Sequence, residues 1–197
     1  MDWNQKYQGQ DYFYGTKPND FLKSQATLWQ SPKKILCIAE GEGRNATYLA
    51  SLGHRVFAID SSSVAREKAL KLAASSQVTI DYQLADLANF DFGQQQWDAV
   101  VSIFCHLPSS LRHKVHQRVE AGLVQGGTFL LEAYTPNQLA FGTGGPKDTN
   151  LLYTPDQITN DFSQINWSLA HEVQRNIQEG TGHQGMSAVI QFLGSKK

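Results

Sequence analysis

The sequence predicts one α/β domain on an open, doubly wound, mostly parallel seven-stranded sheet that closes with a C-terminal antiparallel hairpin. Three observations carry this. Apolar runs of strand length alternate with segments of helical period from residue 33 to residue 134, the β-α repetition that yields a parallel sheet. The runs at 35–39 and 56–59 are continuously apolar, as expected of strands covered on both faces. The last two apolar runs, at 167–173 and 187–193, are joined by a glycine-rich turn at 179–185 and read as a hairpin.

The stretch at 33–60, KKILCIAEGEGRNATYLASLGHRVFAID, is the unit on which the other elements build. The first apolar run breaks into Glu40-Gly41-Glu42-Gly43, and a helical pattern follows with Ala46, Leu49, Ala50 and Leu52 on one face. Gly53 closes the helix, and the next run ends on Asp60, 20 positions after Glu40 (60 − 40). Glycines in such a turn let backbone N–H groups approach a ligand, and the helix start behind them favours negative charge. An acid at the tip of the second strand can accept from both hydroxyls of a ribose.

The pattern therefore points to a nucleotide, and its side chains narrow which one. No Lys follows the glycines, which excludes a P-loop. A dinucleotide site asks for GxGxxG with a third Gly or Ala, and Ala46 meets that spacing, but Glu40 and Glu42 would repel a pyrophosphate. They suit a ligand with a cationic end. S-adenosylmethionine is one, having an ammonium, a sulfonium, one carboxylate, a ribose and no phosphate. The helix start and Arg44 are candidates for its carboxylate. The alternative for Arg44 is a solvated side chain paired with Glu40 or Glu42.

With these residues in hand, the chain resembles the class I S-adenosylmethionine-dependent methyltransferases, of the small single-domain, Rossmann-like kind that includes the tellurite-resistance and thiol or thiopurine methyltransferases. The likeness rests on AEGEGRNATYLA at 39–50, VFAID at 56–60, LADL at 84–87, WDAVVSIFCHL at 97–107 and the N-terminal WNQKYQ and YFYGTKPNDFL. It covers essentially the whole chain. Cys37 stands where the family usually carries an acid, and Ala39 takes the first of its alternating glycine positions; Glu40 is the candidate replacement for the acid. The resemblance implies that residues 1–30 lie over the cofactor, with Tyr14 on the methionine end, and that Asp86 and Leu87 flank the adenine. It adds Ser61, next to Asp60, and Phe104 to the cofactor side. It implies methyl transfer to a small molecule, a thiol or an oxyanion of tellurium or selenium, with S-adenosylhomocysteine as product.

Composition sets bounds. At 197 residues the chain is long enough for one domain with a well-buried core. With 17 basic and 18 acidic residues it offers a polyanion nothing, so no nucleic-acid partner is expected. No apolar run is long enough to span a bilayer, and the first residues lack the basic and apolar regions of a signal peptide. Two cysteines far apart, Cys37 and Cys105, make neither a disulfide framework nor CxxC, which fits a reducing cytoplasm. A small-molecule substrate is the expected partner, and a monomer is compatible with this reading.

Along the chain, aromatic and polar residues at 1–30 include a loop at 12–16, and Pro18 suits the first turn of a helix through Phe21, Leu22, Ala26 and Leu28. After Asp60, Ser61-Ser62-Ser63 supplies an N-cap for a helix through Leu72, and 78–83 alternates like a strand. A strand at 97–104 leads to Cys105-His106-Leu107-Pro108. Ser109 or Ser110 then caps a helix through Leu123 that ends at Gly126-Gly127, before a strand at 128–134. Residues 135–154 have no period and read as a lid loop. Pro155 starts a short helix. No second domain or repeat is evident.

Ligands of such sheets bind beyond the carboxyl ends of the strands, which here carry 40–43, Asp60, Asp86, 104–107, 134–137 and, if the sixth strand is parallel, 178–183. Methyl transfer from a sulfonium needs alignment and exclusion of water more than a base. His106 and His183 are the candidates for one, the alternative being strand-end packing and a turn tip. His113 and His116, placed on a surface helix, do not form HExxH with any neighbour, so no metal is expected, and no GxSxG elbow exists. Two other readings stay open: a non-catalytic S-adenosylmethionine-binding module, and an NAD-dependent oxidoreductase, which the acids in the turn disfavour.

Overall fold

A computed structural model describes residues 2–197 of the chain. They form two compact units, one running through Phe90 and including Glu179–Gly182, the other comprising Asp91–Gln178 and His183–Lys197. The expected seven-stranded mixed sheet is present.

The first unit opens with helix α1 (Trp3–Tyr7), which Asp2 caps by accepting from the amides of Asn4 and Gln5. Helix α2 (Asp20–Gln25) follows and runs into a 3-10 turn at Ala26–Leu28. Its cap is Asn19, whose Oδ1 accepts from Leu22 N at 3.0 Å; Pro18 lies just outside the helix rather than in its first turn. Then come β1 (Lys34–Ile38), α3 (Arg44–Ser51), β2 (Arg55–Asp60), α4 (Ser63–Ser75) and β3 (Asp81–Leu84), with strand order β3-β2-β1 and all pairing parallel. Ile35, Leu36, Cys37 and Ile38 are fully buried, as the unbroken apolar run requires. Ser62 is the residue that caps α4. The expected strand at 78–83 starts only at Asp81, because Val78 N still donates to Ala73 O and completes the turn out of α4.

The second unit holds β4 (Trp97–Ile103), α5 (Ser109–Gly122), β5 (Leu123–Tyr134), α6 (Pro155–Asp161), β6 (Ile165–Glu179) and β7 (His183–Lys196), in strand order β4-β5-β7-β6. β4 and β5 are parallel; β5 and β7 are antiparallel from Thr128↔Ser195 to Tyr134↔Val189. β5 begins at Leu123, so Gly126-Gly127 lies inside a strand and does not end the helix. The register against β4 jumps from Trp97↔Leu123 to Ala99↔Thr128, and a Cβ on Gly127 would meet Val124 O at 2.8 Å, the mark of a bulge that only glycine fits. No serine side chain caps α5; its first bonds run to Pro108 O. The hairpin strands extend well beyond the apolar runs that announced them.

The segment 135–154 is tethered. It contains 3-10 turns at Pro136–Ala140 and Thr149–Leu151. The buried Gln138 side chain accepts from Ala188 N at 2.9 Å and donates to Thr143 Oγ1 and Gly144 O. Leu152 packs with Tyr134, Ile177 and Val189.

His116 is not a surface residue. It is buried and stacked on Phe162, with ring centroids 4.9 Å apart, and its Nδ1 donates to Asp161 Oδ2 at 2.7 Å. Arg112 Nε donates to the same oxygen at 2.7 Å, and His113 Nδ1 lies 3.0 Å from Oδ1. Among the described residues no set of side chains is arranged to hold a metal. The cluster instead locks α6 to α5 through one carboxylate.

Burial alone would raise the pKa of Asp161, but hydrogen bonds from His116 and Arg112 and their charges hold it down at about 2. A folded-state value below the ordinary 3.8 adds stability that is present above that value and lost as pH falls through the folded one. The melting temperature of Asp161→Asn should therefore lie below that of the wild type at pH 7, and the gap should close between about pH 4 and pH 2. Thermal melts of both proteins across that range check this.

Candidate functional site

The turn after β1 winds through alternating left-handed positions, with φ of 49° at Ala39, 63° at Gly41 and 86° at Gly43. Only glycine takes such angles without strain, which explains why the first glycine position of the motif falls where Ala39 stands. Gly43 is also held by packing, since a Cβ there would come within 2.6 Å of Ala69 Cβ. A Cβ on Gly41 would meet Tyr7 Oη at 2.9 Å. Tyr7, at the end of α1, thus faces the turn.

The chain's own carboxylates occupy the donors of this turn. Asp60, at the end of β2, accepts from Gly41 N and Ser62 N, both at 2.9 Å. Glu40 folds back over the start of α3 and accepts from Asn45 N at 2.9 Å and Ala46 N at 2.8 Å. Gly43, the N-cap, has no side chain to do this. Desolvation pushes the Glu40 carboxyl up to about 7 against the pull of these amides, and it raises Asp60 likewise. Tyr82 Oη donates to Gly41 O at 2.6 Å and braces the turn from β3.

The other two charges of the motif are paired. Glu42 is buried against the ammonium of Lys68 and accepts from Tyr14 N. Lys68 also donates to the carbonyls of Tyr7, Gly9 and Asp11, tying the N-terminal segment to α4. Arg44 is neither solvated nor paired with Glu40 or Glu42. It is buried, with Nη2 donating to Glu179 Oε2 at 2.6 Å, while Asn19 Nδ2 donates to Glu179 Oε1 at 2.8 Å.

Of the remaining candidates in the first unit, Tyr14 is half-buried, its ring edge-on to Tyr7 at 6.3 Å. Ser61 is exposed beside Asp60. Asp86 is exposed and closes an Asx turn by accepting from Ala88 N at 2.8 Å; Leu87 is buried. Leu84, opposite Asp60 in the β2–β3 register, is half exposed and presents an apolar surface there. Sequence reasoning passed over Tyr7 and Leu84. The capping Asp2 four residues before Lys6 was the available signal for α1.

Phe104, His106 and His183 belong to the second unit, where they meet Tyr134. Phe104, at φ 53° just past β4, stacks on Tyr134 at 4.7 Å and meets His183 edge-on at 4.5 Å. His106 Nδ1 donates to Leu151 O at 2.7 Å, which leaves Nε2 to accept from Tyr134 N at 3.4 Å. Burial draws its pKa down to about 4. The ring is neutral, with both nitrogens engaged.

Residues 35–127 match the model of the methyltransferase domain family. Over 80 residues the chain is 32% identical to an uncharacterized methyltransferase of Schizosaccharomyces pombe, covering 41% of this chain and 54% of that protein. The chain thus spans about half the length of the curated relatives it matches. TehB from Haemophilus influenzae has a similar fold, with a TM-score of 0.74 and 18% identity over 99% of this chain and 66% of that one. The N-methyltransferase NodS from Bradyrhizobium japonicum WM9 in complex with S-adenosyl-L-homocysteine gives a TM-score of 0.71 and 14% identity over 100% and 99%.

Two substitutions test the turn. Ala39→Gly should raise stability by about 0.5–1 kcal/mol, as relief of left-handed strain outweighs the added unfolded-state entropy; urea unfolding measures it. Glu40 has a folded value above its ordinary 4.5, so the stability it contributes is lost as pH rises toward about 7. Glu40→Gln keeps the acceptor without the charge. Its melting temperature should match the wild type near pH 4 and exceed it at pH 8.

Proposed function

We propose that this protein is an S-adenosylmethionine-dependent methyltransferase acting on a small molecule, a thiol or a metalloid oxyanion such as tellurite. One observation carries the cofactor. The amides of the glycine turn and helix start are taken by Asp60 and Glu40, so a pyrophosphate would find carboxylates where it needs donors. A phosphate-free nucleoside with a cationic end suits the same surface. Asp60 keeps lone pairs for ribose hydroxyls, Leu84 and Leu87 offer an apolar face for the base, and Glu40 lies at the turn for the ammonium. Tyr7 and Tyr14 would close over the ligand, with residues 1–30 acting as its cap within a single domain.

S-adenosylmethionine supplies a methyl group already activated on a sulfonium. The chain's part is to align the acceptor and exclude water. His106 is neutral and doubly bonded, which supports an acceptor that arrives deprotonated, as a thiolate or an oxyanion does. Within the second unit, the rings of Phe104, Tyr134 and His183 and the tethered segment 135–154 are the proposed determinants of acceptor choice. The near-zero net charge supports a small substrate over nucleic acid. The two cysteines, Cys37 and Cys105, are buried and form no disulfide framework, which fits a cytoplasmic location. Among the described residues no helix is long and apolar enough to cross a membrane.

Titration calorimetry with S-adenosylmethionine, S-adenosylhomocysteine and NAD tests the reading. The first two should bind and NAD should not; binding of NAD alone overturns it. Asp60→Ala should weaken S-adenosylhomocysteine about 10- to 100-fold, the worth of hydrogen bonds to a charged acceptor, while unchanged affinity removes Asp60 from the site.

A further inference from the structure

The sequence assigned a ligand carboxylate to the start of α3 and to Arg44. Both are spent: Glu40 accepts from the helix amides and Glu179 holds Arg44. The other cations of the first unit can be sorted. Lys68 faces Glu42, Arg55 reaches Asp81, and Arg66 donates to Tyr82 O. Lys17, Lys23 and Lys71 are exposed, and Lys33 and Lys34 lie at the opposite, amino end of β1.

Lys6 is different. Its ammonium lies over three rings, 5.0 Å from the Trp3 centroid, 4.7 Å from Phe13 and 5.4 Å from Tyr14. It is half-buried, desolvation lowers its pKa, and no carboxylate among the described residues pairs with it. Ring faces replace part of its hydration but leave the charge uncompensated. Its neighbours lead to the site: Tyr14 N donates to Glu42, and Tyr7, adjacent to Lys6, faces Gly41.

We propose that Lys6, held in the Trp3–Phe13–Tyr14 box, binds the carboxylate at the amino-acid end of the S-adenosyl ligand. This rests on the methyltransferase reading. An ammonium is a compact point donor with three N–H groups, and it would complete the recognition of a zwitterionic end whose ammonium Glu40 would meet.

The test compares wild type, Lys6→Met and Lys6→Arg by titration calorimetry against S-adenosylhomocysteine and against 5′-methylthioadenosine, which lacks the amino-acid end. Lys6→Met should weaken S-adenosylhomocysteine about 10- to 100-fold and leave 5′-methylthioadenosine unchanged, and Lys6→Arg should retain most of the affinity. Equal losses for both ligands would mean that Lys6 only packs the N-terminal segment, and unaltered S-adenosylhomocysteine binding by Lys6→Met would exclude it from the site; either result overturns the proposal. Failure of the wild type to bind S-adenosylhomocysteine would instead remove the methyltransferase reading, and this role with it.

Discussion

The buried ion pair between Arg44 and Glu179 sets the arrangement of the first unit. Both side chains are more than nine-tenths buried, so each charge depends on the other, and losing one partner of such a pair costs about 3–5 kcal/mol. Three pieces of chain are tied at this point. Asn19, whose backbone N–H donates to Asn45 Oδ1, also donates its amide to Glu179. Thr181 N and Gly182 N both donate to Phe13 O. Gly180 packs so closely that a Cβ would lie 2.2 Å from that carbonyl. The tip at 179–182 is a clasp on residues 13–19, the segment that presents Tyr14 to the glycine turn.

The turn has its own economy. A helix start normally leaves unsatisfied amides that attract a ligand's anion. Here Glu40 fills that role from within, and burial raises its carboxyl pKa to about 7. Intramolecular carboxylates therefore make the surface hostile to phosphate, which separates this site from the dinucleotide sites whose spacing it shares.

The core of the fold was legible because its signals are local. Two unbroken apolar runs, a glycine turn and one helical period fix β1, α3 and β2 within about 30 residues, and the glycine spacing marks the left-handed positions directly. What failed to show depends on partners distant in sequence. Arg44 read as a ligand's partner, or as a solvated neighbour of Glu40 and Glu42, because its carboxylate stands 135 residues away. His116 looked exposed because α5 has acids and cations around it and only α6 reveals which side is covered. Helix α1 is a single short turn without periodicity, so Tyr7 and Lys6 read as scattered polar and aromatic residues. The start of β5 was hidden by Gly126-Gly127, which signals a helix end and a strand bulge equally well.

The clasp also imposes an order on how the protein is made. At translation speeds of roughly 5–20 residues per second, the 135 residues between Arg44 and Glu179 take on the order of 10 s to synthesise. During that interval Arg44 has no Glu179 to pair with, and residues 13–15 have no tip to close on. The half that reads as an independent nucleotide-binding fold is thus completed last, when the hairpin leaves the ribosome. A chain released before residue 179 would carry every motif of the glycine turn and still lack the carboxylate that seals it.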